Sequence, residues 1–305
     1  MEKNTRTGIV FALVAALISG FSVFVNGIGV KATDPLEYTL LKNLGALLLL
    51  AGATLTISQL KHFKGLSRKD WTYLLAIGII GGSVPFAMFF TGLSMGGAVI
   101  SSFIYRSLFV FAGIFGFVLL REKLEPTDAA ISLLLISANA ILLPENITFG
   151  LGQALVLGAT ILWALEYTLS RKILSHIHPN AVMISRFLFG SIVLFAITGI
   201  PSIDALGLST NAGIRLLSIA ALILPVAILL AGFAWVWYRA LAKLPVFRAT
   251  AILTIGGIIT AILDASILGK SISPISLGSF ILITAGVALA IWKTNPNPEV
   301  QEIKA

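Results

Sequence analysis

Ten apolar stretches, each roughly long enough to cross a bilayer, divide this chain of 305 residues and leave only short connections between them. A transmembrane helix needs about 20 apolar residues, so ten crossings use roughly 200 residues and leave no room for a sizeable water-soluble domain. We predict an all-α integral membrane protein with ten transmembrane helices. The predicted spans are residues 8–28, 36–58, 72–94, 98–120, 127–143, 151–170, 180–199, 213–238, 246–268 and 275–292.

The composition agrees with a bilayer environment. Apolar residues make up 57% of the chain and charged residues only 11%, and the mean hydropathy is +1.00, far above that of soluble domains. The chain has no cysteine, which excludes disulfides, thiolate metal sites and cysteine nucleophiles. No phosphate-binding loop of the Walker type occurs in the sequence, so we expect no ATPase activity. The three histidines fall in predicted loops, and we predict neither a metal site nor a cofactor.

The basic residues predict the orientation of the spans. With the amino terminus placed in the cytoplasm, fifteen lysines and arginines in the loops, tails and span ends fall on the cytoplasmic side, and only Lys31, Arg215 and Lys270 fall on the other side. This bias follows the positive-inside rule. We therefore expect a multi-pass protein of the plasma membrane with both termini in the cytoplasm. The net charge of +8 is explained by topology, and we predict no nucleic-acid partner.

The ten spans consist of a five-span unit that occurs twice. An odd number of spans turns the second copy upside down in the bilayer, an arrangement typical of secondary transporters. Offsets of 144 and 148 residues align the two copies. The aligned pairs are Pro35 with Pro179, Lys42 with Arg186 and Pro126 with Pro274. We predict two inverted five-helix repeats, residues 1–146 and 147–293, followed by a cytoplasmic tail of residues 294–305.

A short stretch at the end of span four is similar to a sequence motif of a known family. Residues 119–124 read Leu-Leu-Arg-Glu-Lys-Leu, and the chain resembles the EamA-type permeases of the drug/metabolite transporter superfamily over residues 8–292. In the second repeat Lys270 stands where the family has an acid. The resemblance implies a ten-helix transporter that moves small organic solutes, often metabolites or amino acids, outward. It also implies that spans one, three, four, six, eight and nine line the pathway.

Charged residues inside the spans are candidates for gates. Each costs about 2.5–3.5 kcal/mol at the centre of a bilayer unless it has a partner or a water-filled cavity. Lys42 and Asp264 lie at similar depths on the outer side, and Glu166 and Arg186 lie at matching depths on the cytoplasmic side. We predict two ion pairs, Lys42 with Asp264 and Glu166 with Arg186, that form and break as access alternates. The alternative is that these residues lock helices together or extend to the interface.

Arg106 is a candidate ligand for the substrate. It lies near the middle of span four, and no acidic residue falls at its depth. A lone guanidinium there suits a carboxylate or phosphate. The alternative is that Arg106 bonds to helix-end carbonyls or a hydroxyl in a packed interface. Its counterpart in the second repeat is Thr254, so the site would be chemically lopsided and would suit a solute with a polar head and an apolar tail.

Aromatic residues add to the predicted substrate site. Trp163 and Tyr167 flank Glu166 in span six, and Phe90, Trp237 and Tyr238 lie in spans three and eight. Aromatic faces hold apolar or cationic groups, although such residues also face lipid or form interfacial belts.

Two prolines lie inside predicted spans. Pro85 and Pro225 are predicted to interrupt spans three and eight, which frees backbone carbonyls.

These features predict a secondary transporter, an alternating-access permease that exports small organic metabolites such as amino acids. Proton coupling through Glu166 and facilitated diffusion without an ion are both open at this point. A facilitative channel or a flippase for a lipid-linked intermediate would share the hydropathy. The sequence shows no cluster of catalytic residues at one depth, so we do not expect an enzyme. The expected partners are the lipid bilayer, a small-molecule substrate and protons, and the expected state is a monomer.

Overall fold

The computed structural model describes residues 3–29, 34–54, 61–96, 98–143, 149–199 and 212–294, and regular secondary structure in these ranges is entirely helical. Lys31, the predicted boundary between residues 146 and 147, and the tail from residue 295 lie outside them, as does the side chain of Arg215. The helices that form the spans are Lys3–Gly29, Pro35–Thr54, Arg68–Gly82, Val84–Gly96, Ala98–Arg106, Leu108–Leu120, Pro126–Ala140, Leu151–Ile173, Pro179–Thr198, Ala212–Leu241, Val246–Leu253, Gly256–Leu268 and Pro274–Trp292.

These helices make up ten spans, which confirms the predicted architecture. Seven spans are single helices, and spans three, four and nine each consist of two half-helices in sequence. Eight of the ten are long and apolar enough to cross a membrane by length and composition. Of the other two, span two carries the polar residues Glu37, Lys42 and Asn43, and the helix of span five has 15 residues.

Helix packing repeats the duplication seen in the sequence. Span one packs against spans eight and nine, and span six, its counterpart, packs against spans three and four. Span two packs on span eight, just as span seven packs on span three. Spans two and seven contact each other, and so do spans five and ten, so each of these spans meets its own counterpart. This pattern is that of two inverted five-helix repeats related by a two-fold axis.

The breaks in spans four and nine are symmetric. Span four is interrupted at Ser107 and span nine at Thr254 and Ile255, and an offset of 148 residues places Ser107 on Ile255. Neither break contains a proline or follows from the hydrophobic pattern, so sequence analysis missed both. The interruption predicted at Pro85 is present, since helices end at Gly82 and begin again at Val84. At Pro225 the helix does not break as it does near Pro85, because the helix Ala212–Leu241 continues through it.

Spans four and nine, which are counterparts, end in the same kind of turn. Arg121 has a left-handed backbone with φ 57°, and Gly269, its counterpart, has φ 67°. The amide of the following residue closes the turn in both cases, from Glu122 to the carbonyl of Gly116 (3.1 Å) and from Lys270 to that of Asp264 (3.3 Å). The duplicated unit therefore retains its local geometry even where its side chains have diverged.

Candidate functional site

Glu166 is the centre of a buried polar cluster between spans three, six, seven and eight. Its side chain is fully buried, and one carboxylate oxygen accepts hydrogen bonds from Ser170 Oγ (2.6 Å) and Tyr238 Oη (2.8 Å). The other oxygen, Oε2, forms an ion pair with Arg186 Nε at 4.0 Å. We call Glu166, Ser170, Arg186 and Tyr238 the Glu166 cluster. It brings together the predicted pair and one predicted aromatic residue.

A backbone carbonyl released by a proline orients Arg186. In a continuous helix the carbonyl of Gly81 would accept the amide of residue 85, but Pro85 has no N–H. Arg186 Nη2 donates to this carbonyl at 2.9 Å instead, and Trp163 Nε1 donates to the same oxygen at 3.1 Å. The break in span three thus fixes a cation and an aromatic ring on one acceptor. This is the freed carbonyl that the sequence predicted at Pro85.

Five aromatic side chains form a wall beside the Glu166 cluster. Their ring centroids lie 5.1 to 6.3 Å apart, mostly in edge-to-face contacts. We call this set the aromatic wall; it consists of Phe86, Phe89, Phe90, Tyr105 and Trp163. The predicted residues Phe90 and Trp163 belong to it.

Two further predicted aromatics form a ring pair next to the Glu166 cluster. Tyr167 and Trp237 are buried, with ring centroids 4.8 Å apart. The indole nitrogen of Trp237 has no hydrogen-bond partner among the described residues. A polar ligand group within reach would satisfy this donor.

Lys42 enters the aromatic wall from span two. Its ammonium group lies 4.8 Å from the ring centroid of Phe90 and 5.2 Å from that of Phe86, and it donates a hydrogen bond to Asn26 Oδ1 at 3.0 Å. The Arg186 guanidinium lies 5.8 Å from the same Phe86 ring. Two cations from counterpart positions therefore approach one ring, although the family resemblance favoured neither of them as a pathway residue.

The polar groups around Lys42 and Arg186 are also related by the repeat. In span one, Asn26 Nδ2 donates to Ser22 Oγ at 3.0 Å, one helical turn away. In span six, Ser170 Oγ donates to Glu166, again one turn away. The offset of 144 residues relates Ser22 to Glu166, Asn26 to Ser170 and Lys42 to Arg186. Asn26 and Ser170 were not predicted as site residues from the sequence, although their four-residue spacing from Ser22 and Glu166 and the same offset identify them.

The predicted pair of Lys42 with Asp264 does not form. Asp264 Oδ2 pairs with Lys270 Nζ at 2.7 Å, because the left-handed turn at Gly269 folds Lys270 back over the end of its own helix. This pair is exposed, and Lys42 is directed inward to Asn26 and the aromatic rings. The prediction was wrong because equal depth does not specify which way two side chains point.

Arg106 lies away from the Glu166 cluster. Tyr105 packs on Trp163 in the aromatic wall, but Arg106 turns to the other side of the helix. There its guanidinium lies against Gly257 of span nine and, at 3.5 Å, near Asn139 Oδ1 of span five. Among the described residues no carboxylate lies within ion-pair distance of it. The structure therefore does not bring Arg106 and Glu166 together in one site, as the sequence-based prediction had them.

A second charged network, which sequence analysis missed, lies where span four ends and span nine begins. Glu122 accepts the amide of Val246 (3.0 Å), the first residue of a half-helix in span nine, and its carboxylate lies 3.8 Å from Arg171 Nε. Nearby, Arg248 Nη2 lies 2.6 Å from Asp128 Oδ1. These contacts join spans four, five, six and nine. Lys270 occupies the position equivalent to Glu122 in the second repeat, so a cation replaces the acid there.

Two histidines stack at the start of span seven. The rings of His62 and His178 lie 3.8 Å apart at 6°, and His178 Nδ1 accepts the amide of Asn180 as a helix cap. Burial, the neighbouring His62, and the cations Arg239 and Lys61 lower the pKa of His178 from its usual value near 6.5. As the pH falls, His178 therefore becomes protonated at a higher pH in the unfolded chain than in the folded chain.

We expect the protein to lose stability as pH falls below about 6.5, because a lowered histidine pKa makes proton uptake favour unfolding. A His178→Asn variant retains an N-capping side chain and removes the titration, so its melting temperature should fall less between pH 7.5 and 5.5. Thermal unfolding of both purified proteins across this range measures the difference. Parallel pH profiles would contradict the assignment.

The fold and the buried site together define a class of protein, an inverted-repeat membrane transporter. Two segments, residues 6–143 and 150–292, each match the model of the EamA-like transporter family, and the chain belongs to this family. It is therefore a multi-pass membrane transporter of the drug/metabolite transporter superfamily, in contact with the lipid bilayer and acting on a small-molecule substrate.

The solved structures support the same fold. One described as "Crystal structure of protein" has a TM-score of 0.72 at 17% sequence identity, over 93% of this chain and 97% of that chain. At this identity the likeness concerns the fold alone. Among the curated proteins, none matches this chain.

Proposed function

We propose that this protein exports small zwitterions with apolar side chains, such as amino acids, and that they bind between the Glu166 cluster and the aromatic wall. The observation that carries this proposal is the juxtaposition of one buried carboxylate, two buried cations and five aromatic rings. An ammonium group suits Glu166, a carboxylate suits Lys42 or Arg186, and the rings suit an apolar side chain.

The charges and free hydrogen-bonding groups support a zwitterion over a simple cation. Glu166 offsets one of the two cations, which leaves one positive charge for a substrate carboxylate. Neither Glu166 Oε2 nor Arg186 Nε has a hydrogen-bond partner among the described residues. Buried polar atoms normally have partners, so a ligand placed between these two groups would complete both.

The Glu166–Arg186 contact also suits a gate. At 4.0 Å the pair is longer than a close charged hydrogen bond, and its members lie on different spans, six and seven. A substrate ammonium that takes over Glu166 would release Arg186, and the pair would close again after the substrate leaves. On this proposal the termini are in the cytoplasm of a plasma-membrane protein, and the cytoplasmic network around Glu122 closes the inner side.

Proton exchange at Glu166 would couple export to a proton gradient. The carboxylate is fully buried, and both of its bonded neighbours, Ser170 and Tyr238, are hydroxyls that accept as well as donate. A protonated Glu166 would thus keep its partners.

The proposal predicts that the purified protein is stabilised by phenylalanine more than by phenethylamine or 3-phenylpropionate, which each lack one of the two charges. Losing a buried charged contact typically costs about 2 kcal/mol or more, roughly 30-fold in affinity. Thermal shift titrations with the three compounds measure this order. In Lys42→Gln, phenylalanine and phenethylamine should bind more equally. Equal stabilisation of the parent protein by all three compounds would overturn the zwitterion proposal.

The same substrate tests transport and coupling in proteoliposomes. Saturable uptake with counterflow distinguishes a carrier from a channel. With proton exchange, phenylalanine should accumulate in vesicles with an acidic lumen and not in vesicles without a pH gradient. Counterflow without such accumulation would support a carrier mechanism and exclude proton coupling.

A further inference from the structure

A groove between spans three and six lies apart from the Glu166 cluster. It has a volume of about 500 Å³ and opens to the surface at the cytoplasmic end of span three. Its composition changes along its length, from charged side chains at the first turn of the helix to apolar ones two turns further on. The lining residues are Arg68, Lys69, Thr72, Tyr73, Ala76 and Leu169.

The two cations at the mouth of the groove have no acidic partner. Arg68 and Lys69 are exposed, and among the described residues no carboxylate lies within ion-pair distance of either. The adjacent Asp70 is engaged elsewhere, since it accepts the amide of Ser67 at 2.9 Å and lies 2.9 Å from His176 Nε2. Both cations also occupy the first turn of a helix, where the helix dipole disfavours positive charge. An anion at the mouth of the groove would pair with the two cations and would interact favourably with the helix dipole.

The depth of the groove matches the interface of a bilayer. Trp71 lies on the same helical turn, is 40% exposed, and belongs to a residue type that sits at headgroup level. From Arg68 to Ala76 the helix rises by about 12 Å, which leads from headgroup level into the hydrocarbon region. Lys172 of span six adds a third cation, 5.5 Å from the ring centroid of Tyr73.

We propose that this groove binds an anionic phospholipid, with the phosphate between Arg68 and Lys69 and one acyl chain along Tyr73, Ala76 and Leu169. The positive charge is complementary to the headgroup, and the apolar floor is complementary to the chain. Basic pockets between transmembrane helices on the cytoplasmic side bind headgroups of this kind. A free phosphate ion would use only the mouth and would leave the apolar floor exposed.

Native mass spectrometry of the purified full chain, titrated with phosphatidylglycerol, tests this site. Each basic residue near a membrane surface contributes about a fivefold gain in affinity, so the double variant Arg68→Gln/Lys69→Gln should bind roughly 30-fold more weakly. The double variant Lys123→Gln/Lys243→Gln removes the same charge from other cytoplasmic loops and should bind as the parent does. Ala76→Trp fills the floor without changing any charge and should also weaken binding.

The lipid controls separate the sources of the anion. Phosphatidylcholine with the same acyl chains, and inorganic phosphate alone, should bind much more weakly than phosphatidylglycerol. Equal binding of phosphatidylcholine would overturn the proposal, as would equal losses in the two double variants. Unchanged binding in Ala76→Trp would also overturn it, even if the Arg68 and Lys69 variant failed to fold.

Discussion

Replacing Arg186 by glutamine should lower the free energy of unfolding by about 3–5 kcal/mol and abolish solute exchange, because it leaves the buried Glu166 carboxylate without its cation. The Arg186 side chain also holds the released Gly81 carbonyl at 2.9 Å, so its loss removes one of the two donors to that oxygen. Glu166→Gln should be similarly damaging, since it leaves Arg186 as an uncompensated buried cation. Thermal unfolding and counterflow in proteoliposomes measure both effects.

The double variant Glu166→Gln/Arg186→Gln distinguishes a functional pair from a structural one. With both charges removed, no unpaired charge remains buried. The double variant should therefore be more stable than the sum of the two single losses predicts. Transport should not recover, because both proposed substrate contacts are lost. Mild, additive defects in transport would contradict a gate formed by this pair.

An exposed pair in the same chain provides the matched control. Lys270 and Asp264 lie closer together, at 2.7 Å, than Arg186 and Glu166, at 4.0 Å, but the Lys270 side chain is 61% exposed. Exposed ion pairs contribute only about 0–1 kcal/mol, so Lys270→Gln should change stability little. A larger effect at Lys270 than at Arg186 would mean that distance, rather than burial, governs these pairs.

The architecture could be predicted from the sequence because hydropathy and the repeat offset depend only on the order of residues along the chain. Span length and the alignment of Lys42 with Arg186 both follow from position along the chain. The Glu166–Arg186 contact also followed, since spans six and seven are consecutive and their depths match. The freed carbonyl at Pro85 followed from the missing amide of proline, although its two donors could not be assigned without the packing.

The direction in which each side chain points around its helix could not be predicted from the sequence in the same way. The sequence paired Lys42 with Asp264 by depth, but a rotation of about 100° per residue decides which side chains face each other. The same rotation separates Tyr105, in the aromatic wall, from Arg106, beside Asn139. Hydropathy gives a weak indication of rotation in spans that are apolar on all sides, so the division of these neighbours required three-dimensional packing.

The two halves share geometry but differ in charge, and this asymmetry gives the site its chemistry. Lys42 with Asn26 and Ser22 forms a cationic arm, whereas the counterpart arm contains Arg186 with Ser170 and an acid, Glu166. A symmetric pair of cationic arms would repel each other across Phe86. Substitution of an acid for serine in one arm offsets this repulsion and creates a site with both signs of charge.

Replacing Gly82 by alanine should destabilise the protein by about 1–3 kcal/mol, the typical cost of forcing an extra carbon into a packed interface. A Cβ at this position would lie 2.6 Å from the Arg186 carbonyl and 2.9 Å from Gly190 Cα, both of which are backbone atoms with little freedom to move. The reciprocal change, Gly190→Ala, would place a Cβ 2.7 Å from Gly82 Cα. Thermal unfolding of both variants measures the cost.

Gly27 is the control for this effect, since a Cβ there meets no atom within 4 Å and alanine favours a helix over glycine by about 1 kcal/mol. Gly27→Ala should therefore leave stability unchanged or raise it. Gly82→Ala should also reduce transport, because separation of spans three and seven displaces Arg186 from the Gly81 carbonyl and from Glu166. A destabilised variant that transports normally would mean that the close glycine contact holds the helices together without positioning the charged pair.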